Sequence, residues 1–173
     1  MWCVQSCSLF ALILNILSQG YKHYHHRNIS PLFHFGHGLS YTTFQYSDLK
    51  LSEPVIANND VEIVATLTVT NTGNVAGTET VQLYTTLPTT SELTHPPLQL
   101  KAFAKARDLA PGQSQTVTLK LDKYAVSYWE TRISRWVVEK GEYLVRVGRS
   151  SAPEDLSLSA KVVIPKGFEW NGL

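Results

Sequence analysis

Past Cys7 the chain has no cysteine, and its only two, Cys3 and Cys7, lie in the first seven residues. The remaining body therefore has no internal disulfide, and its stability must come from a packed core. That pair also lacks further thiols or histidines at zinc-site spacing, which leaves it as two ordinary thiols. Charge of one sign is equally scarce. A net charge of +1 gives no general attraction to a nucleic acid or to an anionic membrane, and neither is expected as a partner. Apolar runs long enough to span a bilayer are missing too, since the longest, SLFALILNIL over residues 8–17, is about half the required length. It has the size of a secretory signal core, but no Lys or Arg precedes it and no small-residue cleavage pattern follows. Secretion rests on that core alone, and the location of the protein is left open. Length excludes one more class, because 173 residues cannot build a catalytic β/α barrel of about 250.

Helix-period segments of useful length are absent from the rest, and alternation takes their place. Val61, Ile63, Ala65, Leu67 and Val69 alternate with a threonine-rich set, the pattern of a half-buried strand. Asn71, Thr72, Gly73 and Asn74 then supply turn chemistry. GTETVQLYTT follows, with Val81 and Leu83 on one face and Gln82 and Tyr84 on the other. Residues 85–99, TTLPTTSELTHPPLQ, lose the alternation and read as a long exposed crossing between sheets. Val117, Leu119 and Leu121 restore it after a Pro-Gly turn. Trp136 and Val138 lead through Glu139, Lys140 and Gly141 to Tyr143, Val145 and Val147, which reads as a hairpin. Leu156, Leu158, Ala160, Val162 and Ile164 close the series. Short strands of regular spacing predict an all-β fold, an antiparallel β-sandwich of the immunoglobulin-like kind with about seven strands.

Ahead of these strands lies PLFHFGHGLSYTTFQYSDL, residues 31–49. Gly36 and Gly38 flank His37 and open backbone conformations that a Cβ forbids. Phe33, Phe35, Tyr41, Phe44 and Tyr46 make the stretch too aromatic for a free linker, which is built from small and polar residues. It is expected to be a packed joint. His23, His25, His26, His34 and His37 crowd the same region, and in an extended chain His23 and His25 share a face. No carboxylate or thiol among them completes a ligand set, so no metal site is assigned.

The residues FGHGLSYTTFQYSDL, VTNTGNVAGTETVQLY and WVVEKGEY, in that order, resemble the C-terminal fibronectin type III-like domain of family 3 glycoside hydrolases, the β-glucosidase family. The resemblance covers about residues 20–173 and departs at His34, where the family usually has proline. It implies an apolar N-terminal extension over residues 1–19, a lead-in or joint over 20–44, and a fibronectin type III-like domain with a C-terminal tail over 45–173. It further implies that the chain is the C-terminal portion of a longer enzyme, and that β-glucoside hydrolysis belongs to that full-length enzyme. The partners so implied are the parent's catalytic domains and, through them, β-glucosides.

Glycoside hydrolysis usually needs two carboxyl groups across the bond. No stretch here resembles the family's nucleophile motif, and the fourteen acidic residues read mostly as a solvated surface. No catalytic, cofactor or metal residue is assigned. Phe33, Phe35, Gly36, His37, Gly38 and Tyr41 are the candidates for an inter-domain joint. Tyr128 and Trp129 are candidates for carbohydrate contact, since an aromatic face suits the carbon-hydrogen face of a pyranose. The alternative is a free-standing sandwich that binds carbohydrate or protein through Tyr128, Trp129 or the loop over residues 85–99.

Overall fold

The computed structural model describes residues 19–88 and 95–172. Among them, eleven strand segments and two short α-helices follow one another as α1 (Tyr21–Arg27), β1 (Phe44–Leu51), β2 (Val55–Ala57), β3 (Asp60–Asn71), β4 (Gly77–Thr86), β5 (Gln99–Leu109), β6 (Ser114–Leu121), α2 (Lys123–Val126), β7 (Ser127–Glu130), β8 (Arg135–Val138), β9 (Gly141–Gly148), β10 (Leu158–Ile164) and β11 (Phe168–Trp170), with a single 3-10 turn at Pro153–Asp155 before β10. No helix among the described residues is long and apolar enough to cross a membrane.

Strand β3 organises the first sheet. Its alternating residues Val61, Ile63, Ala65, Leu67 and Val69 are all buried, while β1 pairs along one edge and β6 along the other. Strand β2 continues the β1 edge after a break at residues 52–54, where Pro54 has no N–H to offer the ladder. The turn from β2 into β3 is made by Asn58 and Asn59 with φ of 51° and 57°, the left-handed pair a two-residue hairpin requires. The second sheet runs β10-β9-β4-β5. Counted with β1 and β2 as one interrupted strand, the two sheets hold seven strands, all antiparallel, as the alternation led us to expect. Their facing side chains, among them Val81, Leu83, Val117, Leu119, Tyr143, Val145, Val147 and Ile164, form one core.

Three sequence expectations change. The segment after β8 is not a hairpin: β8 pairs with β7 and β11, whereas β9 pairs with β4 and β10. Residues 139–140 therefore carry the chain from a small three-stranded ribbon into the second sheet. Alternation identifies which face is apolar but carries no information about the partner strand. Residues 85–99 join β4 to β5 within one sheet and do not cross between sheets, and Leu87, Pro88, Pro96 and Leu98 are buried. Residues 89–94 of that loop lie outside the described residues. Finally, β4 is buried on both faces, with Tyr84 at 0% exposure on the side that alternation turns outward. Something covers it.

Candidate functional site

The cover is the lead-in. Helix α1 has seven residues, no side-chain N-cap and Asn28 as a left-handed C-cap, so its own hydrogen bonds leave it marginal. It is held by Tyr21. The Tyr21 ring stacks on Phe35 at 4.6 Å and meets the edge of Tyr84 at 6.2 Å, and its hydroxyl accepts the Leu100 N–H of β5 at 2.7 Å. Phe35 in turn offers its carbonyl to the Ser151 N–H at 2.8 Å. Gly36, at φ 80°, brings its carbonyl to Gln82, whose amide also donates to Arg149 O and accepts the Tyr84 hydroxyl at 2.6 Å. A Cβ at Gly36 would collide with that fixed amide. Gly38 shows neither a positive φ nor a close neighbour, so only one of the two glycines is needed for its backbone.

The same segment turns a different face outward. Leu32, Phe33, Leu39 and Tyr41 are 89%, 67%, 95% and 99% exposed. Phe33 stacks on His37 at 5.2 Å. The six joint candidates thus divide: Phe35 and Gly36 seat the segment on the sheet, while Phe33, His37 and Tyr41 face away from it. Because α1 is helical, His23 and His25 do not share a side. His25 lies 6.1 Å from His34, and burial lowers its proton affinity, with the neighbouring His34 adding to the effect.

Between the outward segment and β4 is a groove of about 380 Å³, bordered by residues 36–40, Thr42, Phe44, Glu79, Gln82, Arg149 and Asp155. Glu79 is 9% exposed. Its Oε1 accepts the Tyr46 hydroxyl at 2.6 Å. Burial pushes the Glu79 carboxyl above its ordinary value, against the opposing pull of the Tyr46 hydrogen bond and of Arg149. Asp155 is the opposite case: burial raises it, but hydrogen bonds from Ser150 and from Arg149 Nε at 2.7 Å outweigh that and hold it below the usual carboxylate range. Sequence reasoning passed over Glu79 as part of a solvated surface. The signal was present, because Glu79 falls in phase with Val81 and Leu83, on the face that alternation turns inward.

The two aromatic candidates part company. The hydroxyl of Tyr128 donates to Glu139 Oε1 at 2.8 Å and its ring lies 4.4 Å from His95, half-buried against the core. Trp129 points to the other face of the ribbon, 41% exposed, with its ring 5.8 Å from Trp136. Trp136 in turn stacks on Trp170 at 5.6 Å, with Tyr124 edge-on to both and the Lys123 ammonium 4.5 Å above Trp170.

Comparison with known proteins bears on this arrangement. Residues 79–151 match the fibronectin type III-like domain. The chain is 42% identical over 156 residues to thermostable beta-glucosidase B of Acetivibrio thermocellus, a match that covers 88% of this chain and 20% of that protein. Among solved structures, beta-glucosidase 3B of Thermotoga neapolitana in complex with glucose superposes with a TM-score of 0.79 at 35% identity, over 90% of this chain and 20% of that one. The beta-glucosidase of Kluyveromyces marxianus in complex with glucose gives 0.78 at 38% identity, over 89% and 18%. The chain spans about a fifth of the length of the relatives it matches.

Proposed function

Since the chain carries the fibronectin type III-like domain found in β-glucosidases of glycoside hydrolase family 3, we propose that it serves as the accessory domain of such an enzyme, bracing catalytic domains that hydrolyse β-glucosides. The observation that carries this reading is the two-sided lead-in. One side is fixed to the sheet by stacking and hydrogen bonds, so the other presents Leu32, Phe33, Leu39 and Tyr41 on a rigid support. Large apolar groups gathered on one exposed stretch mark an interaction surface. The substrate reaches the assembly through the catalytic domains, and the role of this domain is to position them.

A graft tests the proposal. Residues 20–173 replace the corresponding stretch of the Acetivibrio thermocellus enzyme, and turnover of an aryl β-glucoside is followed as temperature rises. The graft is expected to retain turnover, and Phe33→Asp with Tyr41→Asp to lose it at a lower temperature than the unmodified graft. Identical thermal profiles for the two would overturn the bracing role. The isolated chain is expected to release no aglycone. A second reading, carbohydrate contact at Trp129, draws support from its exposed indole beside Trp136. Titration of the chain with soluble glucans discriminates, since saturable binding lost in Trp129→Ala belongs to that reading alone.

A further inference from the structure

Glu79 is a largely buried polar group in the groove whose bonding is incomplete. Thr42 gives its hydroxyl hydrogen to Asn71, Gln82 spends its amide on three partners, and Asp155 is held by Arg149 and Ser150. Glu79 Oε1 takes the Tyr46 hydroxyl, and Oε2 has no hydrogen-bond or ion-pair partner among the described residues. A carboxylate nine-tenths buried is costly unless charge or hydrogen bonds compensate it. Arg149 and His37 border the same groove, and Arg149 attracts Glu79 from a distance, but its guanidinium is bonded to Asp155 and neither group forms an ion pair with Glu79 among the described residues. The rim of the groove includes Leu39, so the opening is continuous with the exposed apolar face.

We infer that this groove receives one cationic side chain, a guanidinium or ammonium, from the domain that docks on the lead-in, and that the cation pairs with Glu79 Oε2. The inference rests on the bracing reading for the source of the cation, but the site itself belongs to this chain. A single charge is what the surroundings accommodate, since a second would meet Arg149. The apolar face supplies area and the groove supplies register. A charge pair beneath a hydrophobic contact fixes which orientation is allowed, because a docking pose that left Glu79 buried and unpaired would be penalised.

The test uses the full chain, isotope-labelled for nuclear magnetic resonance, titrated with Nα-acetyl-arginine amide and with the neutral isostere Nα-acetyl-citrulline amide. Saturable shifts are expected at the Glu79 carboxyl, at Tyr46 and at the Gly36 and Gly38 amides. Citrulline should bind about tenfold more weakly, the difference between a charged and a neutral hydrogen-bonded partner. Glu79→Gln should remove the discrimination. Arg149→Gln, which frees Asp155, should tighten arginine binding about threefold, the scale of an exposed ion pair. Equal responses to arginine and citrulline, a response to glucose in place of either, or arginine binding weakened by Arg149→Gln would each overturn the inference. These readings come from the chain alone, so their failure leaves the graft result standing, and failure of the graft leaves the cation site standing.

Discussion

Asn71 shows how much one side chain can hold. Fully buried, it accepts from the Thr42 hydroxyl at 2.6 Å and from the Gly73 N–H at 3.0 Å, and donates to Val75 O at 2.8 Å and Leu109 O at 2.7 Å. It ties the end of the lead-in to both sheets. Read from the sequence it is a turn residue, because asparagine beside glycine signals a turn and nothing local reports burial. Asn71→Ala is expected to cost on the order of 3 kcal/mol, the sum of orphaned buried partners, and Asn71→Asp at least as much, since a carboxylate cannot donate to two carbonyls. Thermal or urea denaturation measures both. Lys101 makes a pH-dependent counterpart. Burial, and then the neighbouring Lys22, lowers its amine to about 8 while Nζ donates to Tyr124 O at 2.9 Å. Between about pH 8 and the ordinary lysine value near 10.4, the unfolded chain binds the extra proton, so stability from this group rises with pH. Lys101→Met should therefore be the more stable protein below pH 8, with the gap closing above it. A constant gap across that range, in paired denaturation curves, would remove the assignment to Lys101.

At the scale of elements, the alternating strands were legible and their surroundings were not. Val61 to Val69, Val117 to Leu121 and Val145 to Ile164 declare their inward faces because burial imposes a period of two. Tyr84 and Gln82 violate that reading because the lead-in packs on the outer face of β4, a contact made by residues some 50 positions away. Helix α1 is unreadable for a related reason: its stability resides in Tyr21 against Phe35 and Leu100, not in propensity or caps. The joint residues were recognisable as a group by their aromatic content. Their division into Phe35 and Gly36 on one side and Phe33, His37 and Tyr41 on the other depends on the Gly36 turn. Gly36→Ala should accordingly destabilise the seat of the lead-in by about 1–2 kcal/mol through its left-handed backbone alone, whereas Gly38→Ala should leave it unchanged. Hydrogen exchange checks this, with faster exchange expected at the Ser151 and Leu100 amides and none of the change at Ile63.

For the whole molecule the consequence is association. A domain whose core is complete, yet which exposes Leu32, Phe33, Leu39 and Tyr41 together, should self-associate at high concentration in isolation. Leu39→Ser with Tyr41→Ser should lower the weight-average mass seen in sedimentation equilibrium while altering stability by less than about 0.5 kcal/mol, the usual range for surface substitutions. Unchanged association would place the adhesive surface elsewhere.

The ribbon of β7, β8 and β11 has an optical corollary. Registers Trp129↔Trp136 and Trp136↔Trp170 set three indoles side by side in one row, and these are three of the four in the chain. Chromophores that close share their excited states, so near-ultraviolet dichroism and emission will be dominated by this row. The signal will report whether the C-terminal strand is seated on β8, and a tail that peels away from an intact sandwich would register spectroscopically as if the whole domain had melted.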